Sequence, residues 1–505
     1  MSSKRRSSSR KRRRSGRAGS SKDWLAITAS FFAMWAMIVC PLYLEDQYFN
    51  LRQSKGHAYI AGAVITLLLL VIAAFKEDEG LKPLLPKKDV TDISICVFGV
   101  LGLLSTCLSG YFYNSFVGNE GWWFGGFQQL TFVIFIMLLS KKLDFTNALK
   151  NVMLIVGYIV FFIGMMHSMN IDMFFLHKNT ANPFSYVSTM GNVNWYVGYL
   201  CLTVPLFAVL FMDADEKKEK IQYGVYMFLA CMGIVNCKSD GTYVGIGMCA
   251  IFAIPFVMST AQRFSRFMMC VGFFGVSNFL TSTLPVFAEC KTNYQGIPAL
   301  MLNLKICIPM MVLGVAGYLL GKKFYPEDGG NVARIGTIAL EVCVFIGIGY
   351  FVFDMIKNWG PEWGTKRGEI WMNAIDVFKD SPWYQKLIGT GPETLFVVNA
   401  PYSQARGELV LANHSDYFQL FTTNGLIGIA AWLTMWVSIV VKFVKNKNIE
   451  GVSYWFLLPL MAYMGQALIN TMESMVLPMV IVMMSLYLKY YRMENEEIEF
   501  ETDDE

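Results

Sequence analysis

Residues 24–44, WLAITASFFAMWAMIVCPLYL, contain no charged side chain. A helix of about 20 apolar residues is long enough to cross the hydrocarbon core of a bilayer, which is about 30 Å thick. Comparable runs recur along the 505-residue chain, of which 54% is hydrophobic and only 16% charged. The apolar runs are continuous and do not alternate with polar residues, which excludes a membrane β-barrel. The sequence therefore predicts an all-α polytopic membrane protein.

The apolar runs predict about 12 to 14 transmembrane helices, with the least distinct ones between residues 221 and 287. Five segments follow one another: a disordered basic arm, a bundle of about eleven spans, one large external loop, three last spans and an acidic tail. They cover residues 1–23, 24–356, 357–416, 417–490 and 491–505. The predicted spans are 24–44, 57–75, 93–110, 122–140, 149–167, 192–212, 221–237, 242–260, 264–287, 297–320, 335–356, 417–441, 453–470 and 475–490.

Loop charge predicts the orientation of these spans. Alternate loops, such as KKLDFTNALK (141–150) and KFVKNKN (442–448), are rich in Lys or Arg, whereas intervening loops such as YFYNSFVGNEG (111–121) are nearly free of them. The positive-inside rule places both termini in the cytoplasm and the large loop outside. The basic arm could suggest nucleic acid, but beside a first membrane helix the better interpretation is attraction to anionic lipid headgroups. No nucleic-acid partner is predicted.

The large loop has a composition of its own. It holds four of the twelve tryptophans, at positions 359, 363, 371 and 383. Within it, RGEIWMNAIDVFKD (367–380) places apolar residues at helical spacing. This pattern predicts a short amphipathic helix that lies on the outer membrane surface or caps the bundle, two compatible interpretations. Its apolar face comprises Ile370, Trp371, Ala374, Ile375 and Phe378.

Few ionisable residues fall inside the predicted spans. Lys305 stands about eight residues into the span 297–320, hence about 12 Å deep at ~1.5 Å per residue. A lysine there could bind a phosphate or carboxylate from a cavity, or it could snorkel or pair with Glu341 for packing. No His, Asp or Glu cluster has the spacing of a metal site, and no phosphate-binding loop follows a strand. Neither a metal nor a cofactor is predicted.

Polar residues suited to chemistry concentrate on the predicted outer side. They include Asn194 in GNVNWYVGYL, Lys238 in CKSDGTYVG, and three loop residues, Arg367, Arg406 and His414. A proton- or sodium-coupled transporter would more often show several buried acids, or helices broken in matching halves. The distribution favours an active site that opens toward the outer surface and is reached from the lipid.

Four short motifs follow one another between about residues 191 and 433. GNVNW (191–195) opens a span, Arg367 precedes Trp371 by four positions, GTGP follows at 389–392, and His414 precedes NGLIG (424–428). This order resembles the O-antigen ligase and O-antigen polymerase superfamily. The chain departs from that pattern at Ser239-Asp240-Gly241, where family members often carry Ser-Arg-Gly. Lys238 or Lys305 could take the place of that arginine.

The resemblance implies a C-type glycosyltransferase bundle in the bacterial cytoplasmic membrane. Such enzymes transfer or polymerise a glycan from a polyprenyl-pyrophosphate donor onto an acceptor hydroxyl at the outer face. A fixed guanidinium suits a pyrophosphate leaving group, and histidine suits proton transfer near neutral pH. We therefore expect Arg367 to bind the donor pyrophosphate and His414 to activate the acceptor. The further substrate-binding candidates are Arg406, Lys305, Lys238, Asn194 and Trp371.

Other interpretations of the same residues stay open. His414 could be a helix-terminal residue with a satisfied hydrogen bond, and Arg367 could form a surface ion pair with Glu369 or Asp376. A flippase or exporter of lipid-linked oligosaccharides would instead line a path across the whole membrane with polar residues. A non-catalytic assembly partner would use the Trp-rich loop as a docking surface. The sequence names neither the sugar nor the acceptor.

Overall fold

The computed structural model describes residues 22–178, 180, 186–406 and 412–503. The chain is 77% helical, and the fold is that of an all-α polytopic membrane protein, as predicted. The described sheet is one antiparallel hairpin, β1 (Tyr186–Val187) and β2 (Gly191–Asn192), with Tyr186 opposite Asn192. The basic arm lies outside the described residues up to position 21.

The first fourteen helices lead to the large loop. They are α1 (Trp24–Leu42), α2 (Leu51–Lys76), α3 (Val90–Leu108), α4 (Phe112–Val117), α5 (Gly126–Lys142), α6 (Asn147–Ser168), α7 (Val193–Asp213), α8 (Lys217–Asn236), α9 (Asp240–Met258), α10 (Ala261–Thr283), α11 (Ala288–Lys291), α12 (Gly296–Met301), α13 (Leu304–Phe324) and α14 (Gly330–Lys357). Two short 3-10 turns, Lys82–Leu84 and Pro285–Phe287, lie among them.

The large loop and the last spans contain the other helices. They are α15 (Trp363–Asp380), α16 (Trp383–Ile388), α17 (Leu395–Val398), α18 (Ala400–Arg406), α19 (Asp416–Thr423), α20 (Gly425–Asn446), α21 (Val452–Gln466) and α22 (Leu477–Asp503). The predicted amphipathic helix is thus α15. Its inner face packs on α19, where the Phe378 and Phe421 rings lie 4.3 Å apart, so α15 caps the bundle.

Nine helices of the described chain are long and apolar enough to span a membrane, or ten if the bent pair after residue 260 is one span. Each of the fourteen predicted spans coincides with a long helix, although α5 has only 17 residues and α21 only 15. The full number of crossings stays a prediction. Short polar side chains begin several helices: Asp23 accepts the Ala26 N–H at 2.8 Å, and Thr146 accepts the Leu149 N–H at 3.2 Å.

The centre of the bundle is formed by α7, α21 and α22. In α7, 94% of the most apolar window is buried, whereas no residue of the corresponding window of α14 is buried.

The helices α10 and α13 cross closely because two glycines meet: a Cβ added to Gly314 would lie 2.3 Å from the Cα of Gly272. Such contact between small residues is typical of helix pairs in membranes.

Three predicted spans are wrong in detail because the helices break. The span 297–320 divides at Asn303, whose side chain accepts the Lys305 N–H at 2.9 Å and so starts α13. Lys305 therefore lies in the first turn of α13 and not eight residues into a helix, and the protein does not cover its side chain; its depth in the membrane stays a prediction. The span 264–287 bends by 81° after α10. The span 417–441 divides between α19 and α20, at the left-handed Gly425 (φ +70°).

Two charged segments also differ from expectation. Helix α22 continues into the acidic tail, where Glu494 accepts hydrogen bonds from the N–H and hydroxyl of Ser453 at 2.9 and 2.6 Å, so this part of the tail packs. Lys55 is a buried lysine that the predicted spans missed, because α2 begins six residues before the predicted boundary at 57. Its ammonium group donates to the carbonyls of Cys40 and Pro41 at 3.0 and 2.9 Å.

The two sets of loops separate as their charge predicts. Ion pairs join the Lys- and Arg-rich loops at one end of the bundle, which we call the ion-pair end. They are Lys142–Asp23, Lys150–Glu219, Arg263 with Asp213 and Glu450, Lys442–Asp89, Lys489–Asp144 and Arg492–Asp92. Loops of the other set contact one another, as where Ser474 N–H donates to the Trp122 carbonyl at 2.9 Å. Which end faces the cytoplasm stays a prediction.

Candidate functional site

His414 lies in a tight turn just before α19. Its backbone is left-handed (φ +47°), a conformation that non-glycine residues adopt mainly where the surroundings impose it, often at functional sites. The preceding residue fixes the turn: the Asn413 amide donates to the Phe418 carbonyl at 2.9 Å and to the Thr422 hydroxyl at 3.0 Å. The His414 ring makes no hydrogen bond within the described part of the chain, and the side chain is half-buried.

The His414 side chain lines a cavity of about 430 Å³, which we call the His414 cavity. The predicted substrate-binding residue Asn194, at the start of α7, lines the same cavity. So do two residues that the sequence interpretation missed, Glu473 and Arg52. The other lining residues are Leu51, Gly121, Trp122, Tyr186, Asn192 and Trp195. Four separate parts of the chain therefore supply polar groups to one space.

Arg367 lies near His414 but holds two other segments. Its Nε donates to the Ile469 carbonyl at 3.2 Å, and its Nη1 donates to the Gly364 carbonyl at 3.0 Å. It forms no ion pair with Glu369 or Asp376 among the described residues, so that alternative is wrong. Burial and the nearby Arg367 charge lower the pKa of His414 to about 4. His414 is therefore neutral at pH 7, and its ring nitrogen is a weaker base in the empty cavity than an ordinary histidine would be.

Asp416 fixes the chain between α21 and α22. Its carboxyl group accepts the Tyr463 hydroxyl at 2.6 Å and the Met472 N–H, and its own N–H donates to the Ala467 carbonyl at 3.0 Å. Burial raises the pKa of Asp416 to about 7. This network brings the segment that carries Glu473 to the start of α19.

Glu473 is buried and largely unsatisfied. Its Oε2 atom has no hydrogen-bond partner among the described residues. Burial, together with the nearby carboxyl groups of Asp416 and Glu393, raises the pKa of Glu473 well above its usual value, while Arg52 acts in the opposite direction. A protonated carboxyl group can donate a hydrogen bond to a ligand oxygen. Buried polar groups without partners are costly and frequent at functional sites.

Trp371 supports the turn and does not line the cavity. Its indole N–H donates to the Asn413 carbonyl at 2.9 Å, and its ring stacks on Phe418 with centroids 4.8 Å apart. Trp359 and Trp363 pack beside it, with centroids 6.0 and 5.4 Å away. The Trp-rich segment thus positions His414 through its neighbours Asn413 and Phe418.

The remaining predicted cations are distributed differently. Lys238 lines a neighbouring cavity, which shares Tyr186 with the His414 cavity, and its ammonium group lies 5.8 Å from the Tyr294 ring centre. Lys305 is exposed and lines neither cavity. Arg406 is the last residue of α18, and its side chain lies outside the described part of the structure.

Asp240 occupies the position where the resembled family often carries arginine. Its carboxyl group accepts the Ile297 N–H at 2.9 Å and so fixes the turn before α12. It also lies near Arg367: burial lowers the pKa of Arg367, and the Asp240 charge partly opposes this. A negative charge here would repel a pyrophosphate. The departure from the family pattern therefore replaces a positive charge by a negative one at this position. Arg52 provides a cation at the wall of the His414 cavity instead.

One set of possible metal ligands exists among the described residues, although the sequence predicted none. A nitrogen of His167, a carboxylate oxygen of Asp172 and a nitrogen of His177 lie within 4.8 Å of one another. The Ser188 N–H donates to Nδ1 of His167 at 3.1 Å, which requires the proton of the neutral ring to be on Nε2. This nitrogen, which faces Asp172, then lacks the lone pair that a metal needs. The arrangement fits two histidines that face one carboxylate, at 3.6 and 3.4 Å, better than a metal site.

Two weak sequence signals point to the missed residues. Arg52 is a basic residue in a segment, DQYFNLRQSK (46–55), that the charge pattern assigns to the outer side, where Lys and Arg are scarce. Glu473 is the acid in the short loop TMES between two apolar spans. Arg52 is an exception to the scarcity of Lys and Arg in the outer loops, and Glu473 is the one charged residue of its loop. Their proximity, however, comes from the tertiary structure.

The described chain defines a class, the all-α proteins with several membrane-spanning helices. No model of a known protein family matches the sequence, and no curated protein matches it significantly.

Proposed function

We propose that this protein is a membrane glycosyltransferase of the O-antigen ligase or polymerase type. It transfers or polymerises glycan from a polyprenyl-pyrophosphate donor onto an acceptor hydroxyl, at the outer face of the bacterial cytoplasmic membrane. One observation carries the proposal: the His414 cavity brings together His414, Asn194, Glu473 and Arg52, with Arg367 beside it. A neutral base, hydrogen-bonding groups and cations are the groups that this reaction needs.

The cations serve the donor. Arg52 is exposed at the cavity wall and can bind a pyrophosphate oxygen through two N–H groups. Arg367 is held rigidly by its two carbonyl partners and adds positive charge nearby. Positive charge fixed in place before the reaction stabilises the negative charge that develops on the leaving group. Asn194 and the protonated carboxyl group of Glu473 can donate hydrogen bonds to sugar or phosphate oxygens.

His414 serves the acceptor. Its neutral ring takes the proton of the acceptor hydroxyl while the acceptor oxygen bonds to the anomeric carbon of the donor sugar. The bond from that carbon to the pyrophosphate oxygen breaks, and polyprenyl pyrophosphate leaves with the bonding electrons. The Arg367 charge disfavours protonation of His414 in the empty cavity. A bound pyrophosphate would neutralise this charge, so His414 becomes a better base once the donor is present.

The positive-inside rule supports the orientation. It puts the ion-pair end in the cytoplasm, and the His414 cavity then opens at the outer face, where a lipid-borne donor and a water-borne acceptor can meet. A flippase would need a polar route between the two ends of the bundle. The central helix α7 instead consists almost entirely of buried apolar residues.

The test is glycan transfer by the purified full-length protein. We expect product from a polyprenyl-pyrophosphate oligosaccharide and a hydroxyl acceptor, and a rate about 10²- to 10⁴-fold lower for His414→Ala. We expect a loss of about 10²- to 10³-fold for Arg367→Ala. His57→Ala is the matched control, because His57 is an exposed histidine that does not line the His414 cavity.

Two outcomes would contradict the proposal. Transfer at the normal rate by correctly inserted His414→Ala and Arg367→Ala proteins would remove both assigned roles. Movement of the donor across the bilayer of proteoliposomes, with no transfer to any acceptor, would favour the flippase.

A further inference from the structure

A wide groove opens at the ion-pair end, between α8, α10 and α13. Its volume is about 1620 Å³, compared with about 430 Å³ for the His414 cavity. Four cationic side chains line it, Lys220, Arg266, Lys322 and Lys323, together with a single acid, Glu327. We call it the basic groove. Such an excess of positive charge in one concave surface indicates an anionic ligand.

These four cations differ from the ion-paired cations at the same end. The latter contact carboxylates, as Arg263 does with Asp213 at 2.6 Å and Lys150 with Glu219 at 3.2 Å. Among the residues that the structure describes, no carboxylate lies within ion-pair distance of Lys220, Arg266, Lys322 or Lys323. The four cations exceed the one acid of the lining, Glu327, and the nearby carboxylates of Asp213 and Asp215 offset the charge of Arg266 only from beyond ion-pair distance.

Arg266 is the fixed element of the groove. It is only 9% exposed, and its Nη1 donates to the carbonyls of Phe211, Met212 and Ala214 near the end of α7, at 3.0, 2.9 and 2.5 Å. A guanidinium has five N–H donors. The Nε and Nη2 donors have no protein partner within the described chain and are not among its enclosed polar atoms, so they are accessible from the groove. A ligand oxygen in the groove would satisfy them.

Part of the remaining groove wall is apolar, and Thr260, Gln262 and Ser265 add polar side chains to it. Phe211, Ile221, Met269 and Tyr318 line it beside the cations. The adjoining face of α13 exposes large apolar side chains, with Val315 62% and Leu319 57% exposed, as expected for a surface in contact with acyl chains. A ligand with an anionic head and apolar tails matches this combination, and a soluble phosphate compound matches only half of it.

We propose that the basic groove binds the headgroup of an anionic phospholipid, whose acyl chains lie along α10 and α13. Basic pockets between transmembrane helices on the cytoplasmic side bind such headgroups. Arg266 and the lysines contact the phosphate, while Tyr318 and Met269 contact the upper part of the chains. The proposal does not depend on the transferase activity.

Binding can be measured by native mass spectrometry of the full-length protein in detergent, with phosphatidylglycerol or phosphatidylcholine added. We expect tight retention of phosphatidylglycerol and weak retention of phosphatidylcholine. The double variant Lys322→Gln/Lys323→Gln should bind phosphatidylglycerol about 25-fold less tightly, or about fivefold per charge. The control Lys445→Gln/Lys447→Gln removes the same charge from exposed residues of the same end outside the groove, and should bind normally.

Glycerol 3-phosphate separates the two sources of phosphate. We expect no competition from it at millimolar concentration, because it lacks acyl chains. Competition at that level would overturn the lipid assignment in favour of a soluble phosphate compound. If both double variants lose the same affinity for phosphatidylglycerol, the groove is not the binding site. The lipid would then be attracted generally to the basic surface. Equal retention of phosphatidylcholine would overturn the role of the cations.

Discussion

The pKa values of buried carboxyl groups are shifted in opposite directions at the two ends of the bundle. At the ion-pair end, burial alone would raise the pKa of Asp89, but the hydrogen bond and charge of Lys442 lower it below its usual value. At the end that carries the His414 cavity, burial raises the pKa of Asp416 to about 7 and that of Glu393 to about 8, and no cation of the described chain pairs with either. One end holds ionised pairs, and the other holds carboxyl groups that bind their protons more tightly than usual.

This difference separates stability from function. Paired charges link the loops to one another and leave few donors for a ligand. Unpaired groups, such as Oε2 of Glu473, cost folding free energy but can still bind a substrate, and proteins keep such groups mainly at functional sites. The basic groove lies at the ion-pair end, but its four cations have no carboxylate within ion-pair distance in the described part of the chain. Unpaired polar groups therefore mark both proposed binding surfaces.

The largest effect is expected when one partner of the buried Asp92–Arg492 pair is removed. Asp92 is fully buried and Arg492 is 12% exposed, so Arg492→Met leaves a buried carboxylate without its cation. We expect a loss of about 3–5 kcal/mol in the free energy of unfolding. Tryptophan fluorescence of the detergent-solubilised protein during heating measures the shift in the melting midpoint.

The control breaks an exposed pair in the same region. Lys87 and Glu496 are 51% and 61% exposed, so Lys87→Gln should cost only about 0–1 kcal/mol. If both variants melt at the same temperature, the ion-pair end does not contribute as we argue. The double variant Asp92→Leu/Arg492→Met should recover part of the loss, because neither charge is then buried.

The second effect is a dependence of stability on pH at the other end. Glu393 binds its proton more tightly in the folded chain than in the unfolded chain, because burial raises its pKa to about 8. The folded state then holds more protons than the unfolded state between about pH 4 and pH 8, so stability falls as the pH rises through that range. Each pKa unit corresponds to about 1.4 kcal/mol. Glu393→Gln should flatten this slope in melting experiments between pH 5 and 8.

The exposed acid Glu120 provides the comparison for that experiment. Glu120→Gln should leave the slope unchanged. A melting temperature that rises with pH in the wild type would contradict the protonated state of the buried carboxyl groups. An identical slope in Glu393→Gln would show that other groups are responsible.

A smaller effect is expected for Arg52, because water screens its exposed charge. Arg52→Ala should raise the KM for the lipid-linked donor about tenfold, the cost of one charge-assisted contact of about 1.4 kcal/mol, with little change in kcat. Lys357→Ala removes an exposed cation that does not line the His414 cavity and should leave KM unchanged. A reduced kcat with normal KM would mean that Arg52 acts in the transition state and not in donor binding.

The sequence predicts the local features of both ends better than their assembly. Long apolar runs reveal each long helix, and the spacing after Arg367 reveals α15, because these patterns depend on neighbouring residues. The proximity of Arg52 to Glu473 joins positions that are 421 residues apart, so only the packed bundle can show it. Asn303 is a residue type that often begins a helix. The apolar residues on both sides of it nevertheless predict one continuous span, whereas the structure has a break there.

We expect the smallest effect from Lys305→Ala. This variant tests whether the donor is bound by the residues that line the His414 cavity or by any positive charge at the same end of the bundle. Helix α13 begins at Leu304, and Lys305 is exposed on the protein surface and lines neither cavity. Because surface charges away from a site contribute little to it, Lys305→Ala should change the transfer rate by less than about twofold. A loss of about tenfold or more would show that Lys305 reaches the donor. The unpaired groups of the His414 cavity would then not account for donor binding by themselves.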